Sequence, residues 1–292
     1  MNSTVKKINI NGTGLSYIEK GQGRLMIFLH GFPDNALTFK NQINYFADKG
    51  YRVVAPYMRG YFPSDIPSDK KYYTLTLGKD VVELIKALGG EKAIVVGHDW
   101  GATAAYSAAV MAPELIEKIV TASVVRGTFS KALITNPEQQ RKSWYMYFFQ
   151  TIMAEKAFSF NDYAFIRRLY KDWSSPNYEV AEDHIENVIE TFRHEGVANA
   201  AINYYRGFFN PIGLSLEEAN EQKRIAGEKI RVKTLYLHGE KDGCIGVEVT
   251  EGMEDFFGED FERKIIKDAG HFIHLEKPEE FNRTILEFVS RE

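Results

Sequence analysis

Short apolar runs recur along the first half of the chain, separated by helix-like stretches. Leu25-Met26-Ile27-Phe28-Leu29, Arg52-Val53-Val54-Ala55, Ala93-Ile94-Val95-Val96 and Ile119-Val120-Thr121-Ala122 lack the alternation of a half-exposed strand. Such runs suit strands covered on both faces, so they predict a mostly parallel sheet with helical crossovers. The pattern changes near Gly127. From there to Glu228 strand-like runs are few, and aromatic residues recur at helical spacing, as in Trp144, Tyr145, Phe148 and Phe149 or Phe165, Leu169 and Trp173. Sheet-like runs resume at Val232-Lys233-Thr234-Leu235-Tyr236-Leu237 and Lys264-Ile265-Ile266-Lys267, before a last helix near Pro278 to Val289. The pattern predicts an α/β core made of residues 1–126 and 229–292, with an α-helical cap, residues 127–228, inserted between strands. The charged stretch Glu217 to Arg231 serves as the return path. Sheets of this class bind ligands outside the carboxyl ends of their strands, where such an insertion would lie.

The 292 residues suffice for about two average domains or one large domain with an insertion. Acidic and basic residues are interspersed, the formal charge is −4 and no Lys/Arg run occurs, which argues against nucleic acid as a partner. The one cysteine, Cys244, excludes an intramolecular disulfide framework and agrees with a reducing compartment. The start, Met1 to Lys7, carries no apolar stretch of signal-peptide length, and no later segment is apolar enough to span a bilayer. The expected location is the cytoplasm, and a homodimer is compatible with the sequence.

Candidate chemistry centres on Gly97-His98-Asp99-Trp100-Gly101, which follows the Ala93–Val96 run and leads into a helix-like stretch. A small-x-nucleophile-x-small pattern between strand and helix is a nucleophile elbow, whose tight turn holds the central side chain clear of the backbone. Asp99 is therefore the candidate nucleophile. A carboxylate displaces at saturated carbon and leaves an alkyl ester, whereas a serine would attack a carbonyl. Asp242, in Gly239-Glu240-Lys241-Asp242-Gly243, and His271, in Gly270-His271-Phe272, each follow a later strand and complete the order nucleophile, acid, histidine. Both belong at the same sheet edge as Asp99. The turn His30-Gly31-Phe32-Pro33-Asp34 can offer the Phe32 N–H, which with the Trp100 N–H would form an oxyanion hole.

These motifs resemble those of the α/β-hydrolase superfamily. The pair His-Gly-Phe-Pro and Gly-His-Asp-Trp-Gly is similar to that of soluble and microbial epoxide hydrolases, and the likeness spans nearly the whole chain. The resemblance implies the α/β-hydrolase fold and two cap tyrosines over the nucleophile. Ser143-Trp144-Tyr145 and Asn203-Tyr204-Tyr205-Arg206 carry those roles onto Tyr145 and Tyr205. Adjacent helical residues point about 100° apart, so only one of Tyr204 and Tyr205 should face the site, and the resemblance favours Tyr205. The implied substrate is a small apolar epoxide, contacted by Phe32, Trp100, Tyr145 and Tyr205 and converted with water to a vicinal diol. Two phenols, protonated near neutrality, would stabilise the leaving oxygen. His271, oriented by Asp242, would activate water against the Asp99 ester. The chemistry closes without a cofactor. One departure from the family pattern is Gly246, where a proline usually stands shortly after the acid.

The remaining histidines lack a metal-binding motif such as H-E-x-x-H, so no metal site is expected. His30 and His98 brace their turns, His184 and His194 read as polar-face residues of cap helices, and Cys244 reads as a small buried hydrophobe. Two other readings compete. A haloalkane dehalogenase would share Asp99, the following Trp and the His–Asp pair, but commonly has Asn where this chain has Phe32. A non-catalytic hydrolase-like binding protein would keep the sheet and lose triad members, against which the complete set Asp99, Asp242 and His271 argues.

Overall fold

A computed structural model describes residues 5–291, so the first four residues of the start read above lie outside the described residues. Eight strands form one sheet: β1 (Val5–Ile10), β2 (Thr13–Lys20), β3 (Arg24–Leu29), β4 (Tyr51–Pro56), β5 (Ala93–His98), β6 (Ile116–Ala122), β7 (Thr234–Gly239) and β8 (Phe261–Ile266). Their order is β1-β2-β4-β3-β5-β6-β7-β8. The β1–β2 and β2–β4 pairs are antiparallel and the other pairs are parallel. The apolar runs fall where both faces are covered: every residue of β5 and β7 is buried. The edge strands β1 and β8 instead carry exposed charged residues, which blunt an otherwise open row of backbone donors and acceptors.

Three helices precede the insertion: α1 (Lys40–Asp48), α2 (Thr74–Ala87) and α3 (Trp100–Met111). Five alanines and no charged residue make α3 apolar all round, the composition of a helix packed on every side, and ten of its twelve residues are buried. Seven helices follow β6 before the chain returns to β7: α4 (Phe129–Thr135), α5 (Pro137–Lys142), α6 (Trp144–Phe148), α7 (Ala154–Trp173), α8 (Glu182–Arg193), α9 (Val197–Phe209) and α10 (Leu216–Gly227). The helical run of α7 is broken at Phe160–Tyr163. Asn136 caps α5 with its side-chain oxygen, and Pro137 opens the helix where a missing N–H does no harm. The charged return path is itself helical. Ser215 and Glu218 form a reciprocal capping box that starts α10. A short α11 (Ile273–Glu276) and the final α12 (Pro278–Val289) complete the chain. No helix among the described residues is long and apolar enough to cross a membrane.

Candidate active site

Asp99 sits between β5 and α3 with φ 51° and ψ −120°. That left-handed backbone is costly for a residue with a side chain, and it persists because the strand and helix on either side over-determine it. The Asp99 Oδ1 accepts the backbone N–H of Phe32 at 2.6 Å. The Trp100 N lies in the same niche, because a side chain added at Gly31 would run into both the Asp99 carboxylate and the Trp100 N. Glycine at this point lets the Asp99 carboxylate and the Trp100 N approach the turn that carries Phe32.

The other two triad candidates arrive from the ends of β7 and β8. His271 Nδ1 donates to Asp242 Oδ2 at 2.9 Å, and its Nε2 stands 3.8 Å from Asp99 Oδ2. The second separation is an ion-pair distance and too long for a hydrogen bond. Burial alone would push the imidazole toward neutrality, but the charge and hydrogen bond of Asp242, with the charge of Asp99, outweigh it and raise its pKa to about 10. Burial likewise opposes the charge on Asp242. The imidazole of His271 and the N–H groups of Cys244 and Ile245 overcome that penalty and hold the carboxyl below its usual range.

The histidine loop is fastened by groups that carry no recognisable motif. Its carbonyl accepts from Ser123 Oγ at 2.7 Å and from His98 Nε2 at 2.9 Å, and its N–H donates to the carbonyl of Trp173. The Glu276 carboxylate accepts from the N–H groups of Gly270, Phe272 and Ser175. Gly243 donates to the same Trp173 carbonyl as His271. A β-carbon at Gly243 or Gly270 would collide with backbone at the end of α7, so both glycines permit a close approach. The sequence marks Trp173 only as an aromatic at helical spacing, and no motif marks Ser123 or Glu276.

Across from Asp99, the side chains of Tyr145 on α6 and Tyr205 on α9 line a cleft of about 430 Å³, together with Trp100, Met146, Phe208 and Cys244. The two helices are tied to each other: Arg206 Nε donates to the Phe149 carbonyl at 3.0 Å, and Arg206 also pairs with Glu155. Burial pushes both phenols well above their ordinary pKa, and the negative charge of Asp99 adds to the rise. Tyr204 points elsewhere, its hydroxyl donating to the Arg59 carbonyl at 2.8 Å. Tyr145 Oη lies 3.4 Å from Cys244 Sγ, so Cys244 is buried as expected but has a polar contact that its reading as a mere hydrophobe omitted.

One expectation needs correction. The Phe32 ring does not line the cleft; it is fully buried against Phe149, Phe158, Trp173, Phe192 and Tyr205. Aromatic side chains from the inserted helices cover it, and only its backbone N–H reaches Asp99. His184, on α8, is half-buried and turns inward. Its Nε2 meets the buried Asp34 Oδ1 at 2.8 Å, where Tyr170 also donates, because a carboxylate with no exposure requires partners from the overlying helices. His194, by contrast, caps the end of α8 and stacks on Phe62.

His30 braces its turn, with Nδ1 donating to the Gly31 carbonyl and Nε2 accepting from the Met58 N–H; burial lowers its pKa to about 4. Asp34, His98 and His274 bring potential ligand atoms within 4.8 Å of one another and are the residues that could hold a metal ion. In the structure they belong to an internal network: Asp34 is shared by Tyr170 and His184, and His274 Nε2 bonds Thr38. Gly246, where the family pattern has proline, donates its N–H to Gln139 Oε1 at 2.9 Å, a bond proline could not make.

Residues 24–278 match the family described as alpha/beta hydrolase fold. Epoxide hydrolase 1 of Caenorhabditis elegans is 30% identical over 294 residues, covering 97% of this chain and 70% of that protein. Human epoxide hydrolase 4 is 29% identical over 295 residues, covering 98% and 78%. The crystal structure of the Bacillus megaterium epoxide hydrolase in complex with an inhibitor superposes with a TM-score of 0.84 at 29% identity, covering 98% of this chain and all of that one. Because this kinship runs through the core strands and the inserted helices alike, the chain belongs to the epoxide hydrolase family of the α/β-hydrolase fold.

Proposed function

We propose that the protein hydrolyses a small apolar epoxide to a vicinal diol through a covalent alkyl ester on Asp99. The phenols of Tyr145 and Tyr205 hydrogen-bond the epoxide oxygen while an Asp99 carboxylate oxygen attacks one ring carbon from the opposite side. As the ring C–O bond breaks, its electron pair stays on oxygen, which takes a proton from a phenol. His271 then removes a proton from water. The resulting hydroxide attacks the carbonyl carbon of the ester, and the N–H groups of Phe32 and Trp100 stabilise the oxyanion. Collapse expels the substrate oxygen, which takes the proton of the added hydroxyl and leaves as the diol, regenerating the Asp99 carboxylate, and the imidazolium returns its proton to the phenolate. In this reading residues 127–228 act as the cap and residues 1–126 and 229–292 as the catalytic core.

The observation that supports the proposal is that two buried phenols and the Asp99 carboxylate line one apolar cleft. A phenol can give a proton to an alkoxide. A halide is stabilised by N–H donors instead, and the Phe32 side chain offers none. Incubation with styrene oxide and, separately, with a bromoalkane separates the two chemistries. Diol from the epoxide without bromide release is the expected result, and bromide release without diol overturns the reading. A single turnover in ¹⁸O-water should leave label in the peptide containing Asp99 and little in the first diol. Heavy label in that diol rules out the ester.

A further inference from the structure

Although Tyr145 and Tyr205 line the same cleft, their hydroxyls are not equivalent. Among the described residues the Tyr205 hydroxyl has no hydrogen-bond partner of ordinary geometry, and neither has the indole N–H of Trp100 beside it. The Tyr145 hydroxyl lies 3.4 Å from Cys244 Sγ, within reach of a hydrogen bond to sulfur. Cys244 is held on both sides. Its N–H donates to Asp242 Oδ1 at 2.7 Å, and its carbonyl accepts from Gln139 Nε2 on α5 at 2.9 Å. The thiol is thereby fixed between the acid of the triad and the helix pair that carries Tyr145.

We propose that Cys244 is a positioning residue for leaving-group chemistry: its S–H donates to Tyr145 Oη and turns the Tyr145 O–H toward the substrate oxygen. The inference rests on the epoxide chemistry proposed above. A phenol oxygen carries one hydrogen and two lone pairs, and its hydrogen rotates to the better acceptor. Sulfur is a weak acceptor. Once a substrate oxygen enters the cleft it wins the Tyr145 hydrogen, and the S–H-to-Oη orientation is the one left to the thiol.

As the epoxide C–O bond breaks, the proton passes from Tyr145 Oη to the leaving oxygen and a phenolate remains. A buried charge without a donor is expensive, and the thiol supplies that donor. His271 takes a proton from the hydrolytic water and returns it to Tyr145, so the cycle ends with every group as it began.

Two measurements test this. Cys244 is the only cysteine, so its S–H stretch is a single infrared band. With 1-phenylethane-1,2-diol bound to accept the Tyr145 hydrogen, the band in the wild type should lie at lower frequency than in Tyr145→Phe, since a donating S–H bond is weakened; an identical band in both overturns the S–H donor. That arm needs no turnover, so it stands apart from the epoxide reading, which fails on its own if the wild type makes no diol. The second arm is a double-mutant cycle on the rate of ester formation from styrene oxide in single turnover. Cys244→Ala should slow it about fivefold to tenfold, the scale of one lost hydrogen bond, and Cys244→Ser should restore most of the rate. Cys244→Val, close in size and without a donor, replaces Ala if that variant fails to fold. In Tyr145→Phe the cysteine change should add nothing, while in Tyr205→Phe its full effect should persist. Equal slowing in both backgrounds overturns the assignment.

Discussion

The imidazole of His271 stands 3.8 Å from the carboxylate of Asp99, close enough for their charges to couple and too far for a hydrogen bond. In the proposed cycle this gap separates two half-reactions. Asp99 can attack carbon without help from a base, whereas the ester cannot be hydrolysed without one. His271→Gln should form the ester and stall. Intact-protein mass spectrometry should then show an adduct of substrate mass, and an inactive variant with no adduct contradicts the division.

The same pair sets a pH dependence. The pKa of His271 is raised to about 10, against about 6.5 for an unperturbed histidine. Between these values the unfolded chain has lost a proton that the folded protein keeps. The stabilisation from this group is therefore full below about pH 6.5 and is lost as pH rises through about 10. The stability advantage of the wild type over His271→Gln, measured by denaturant unfolding, should shrink across that window. Ester formation also removes the Asp99 charge. Hydrolysis of the ester should consequently show an acid limb with an apparent pKa below that of the free enzyme, read from single turnovers over a pH series.

Replacing Tyr145 or Tyr205 by Phe removes one donor from the leaving oxygen. Loss of a donor aimed at developing charge costs roughly 10²–10³ in rate, and the partner tyrosine should blunt each single change. The double variant should be far slower than either. Tyr204→Phe should leave ester formation nearly unchanged, since its hydroxyl is spent on the Arg59 carbonyl. Stopped-flow measurement of ester formation checks all four.

Gly246 adopts φ −64° and ψ 142°, a conformation proline shares, and a β-carbon there displaces the Glu248 carboxylate in Gly246→Pro and Gly246→Ala alike, so the difference between the two variants reads the loss of one N–H. The buried Gln139 Oε1 would be left without that donor, at a cost of about 1–3 kcal/mol. Restriction of the unfolded chain offsets about 0.4–1 kcal/mol of it. Urea unfolding should show a net loss for Gly246→Pro, and Gly246→Ala, which keeps the N–H, serves as the control.

The central strands were legible because burial on both faces writes an uninterrupted apolar run, as in β5. Asp99, Asp242 and His271 were legible as candidates because each follows such a run. What fastens them was not. Tyr170 and His184 reach Asp34 across 136 and 150 residues, and no local period or spacing encodes a pairing of that range. Phe32 escapes sequence reading for the same reason: its neighbours in sequence form a turn, but the aromatic rings that seal it come from α7, α8, α9 and the turn after α6. Glu276 lies only five residues past His271, yet a lone carboxylate on a one-turn helix gives no sign that it gathers three N–H groups.

The carbonyl of Trp173 accepts N–H groups from both the His271 loop and the Asp242 loop. It stands at the last residue of α7, so the inserted helices build part of the frame that holds the base and its orienting acid. The insertion and the sheet are in this respect not interchangeable parts. A chimera that grafts a foreign set of helices onto this sheet, in order to reshape the cleft, would leave those two loops without a shared anchor unless it also reproduced this helix end. Variation of substrate preference has a safer field in α4, α6 and α9, whose side chains reach the cleft while the anchor stays in place.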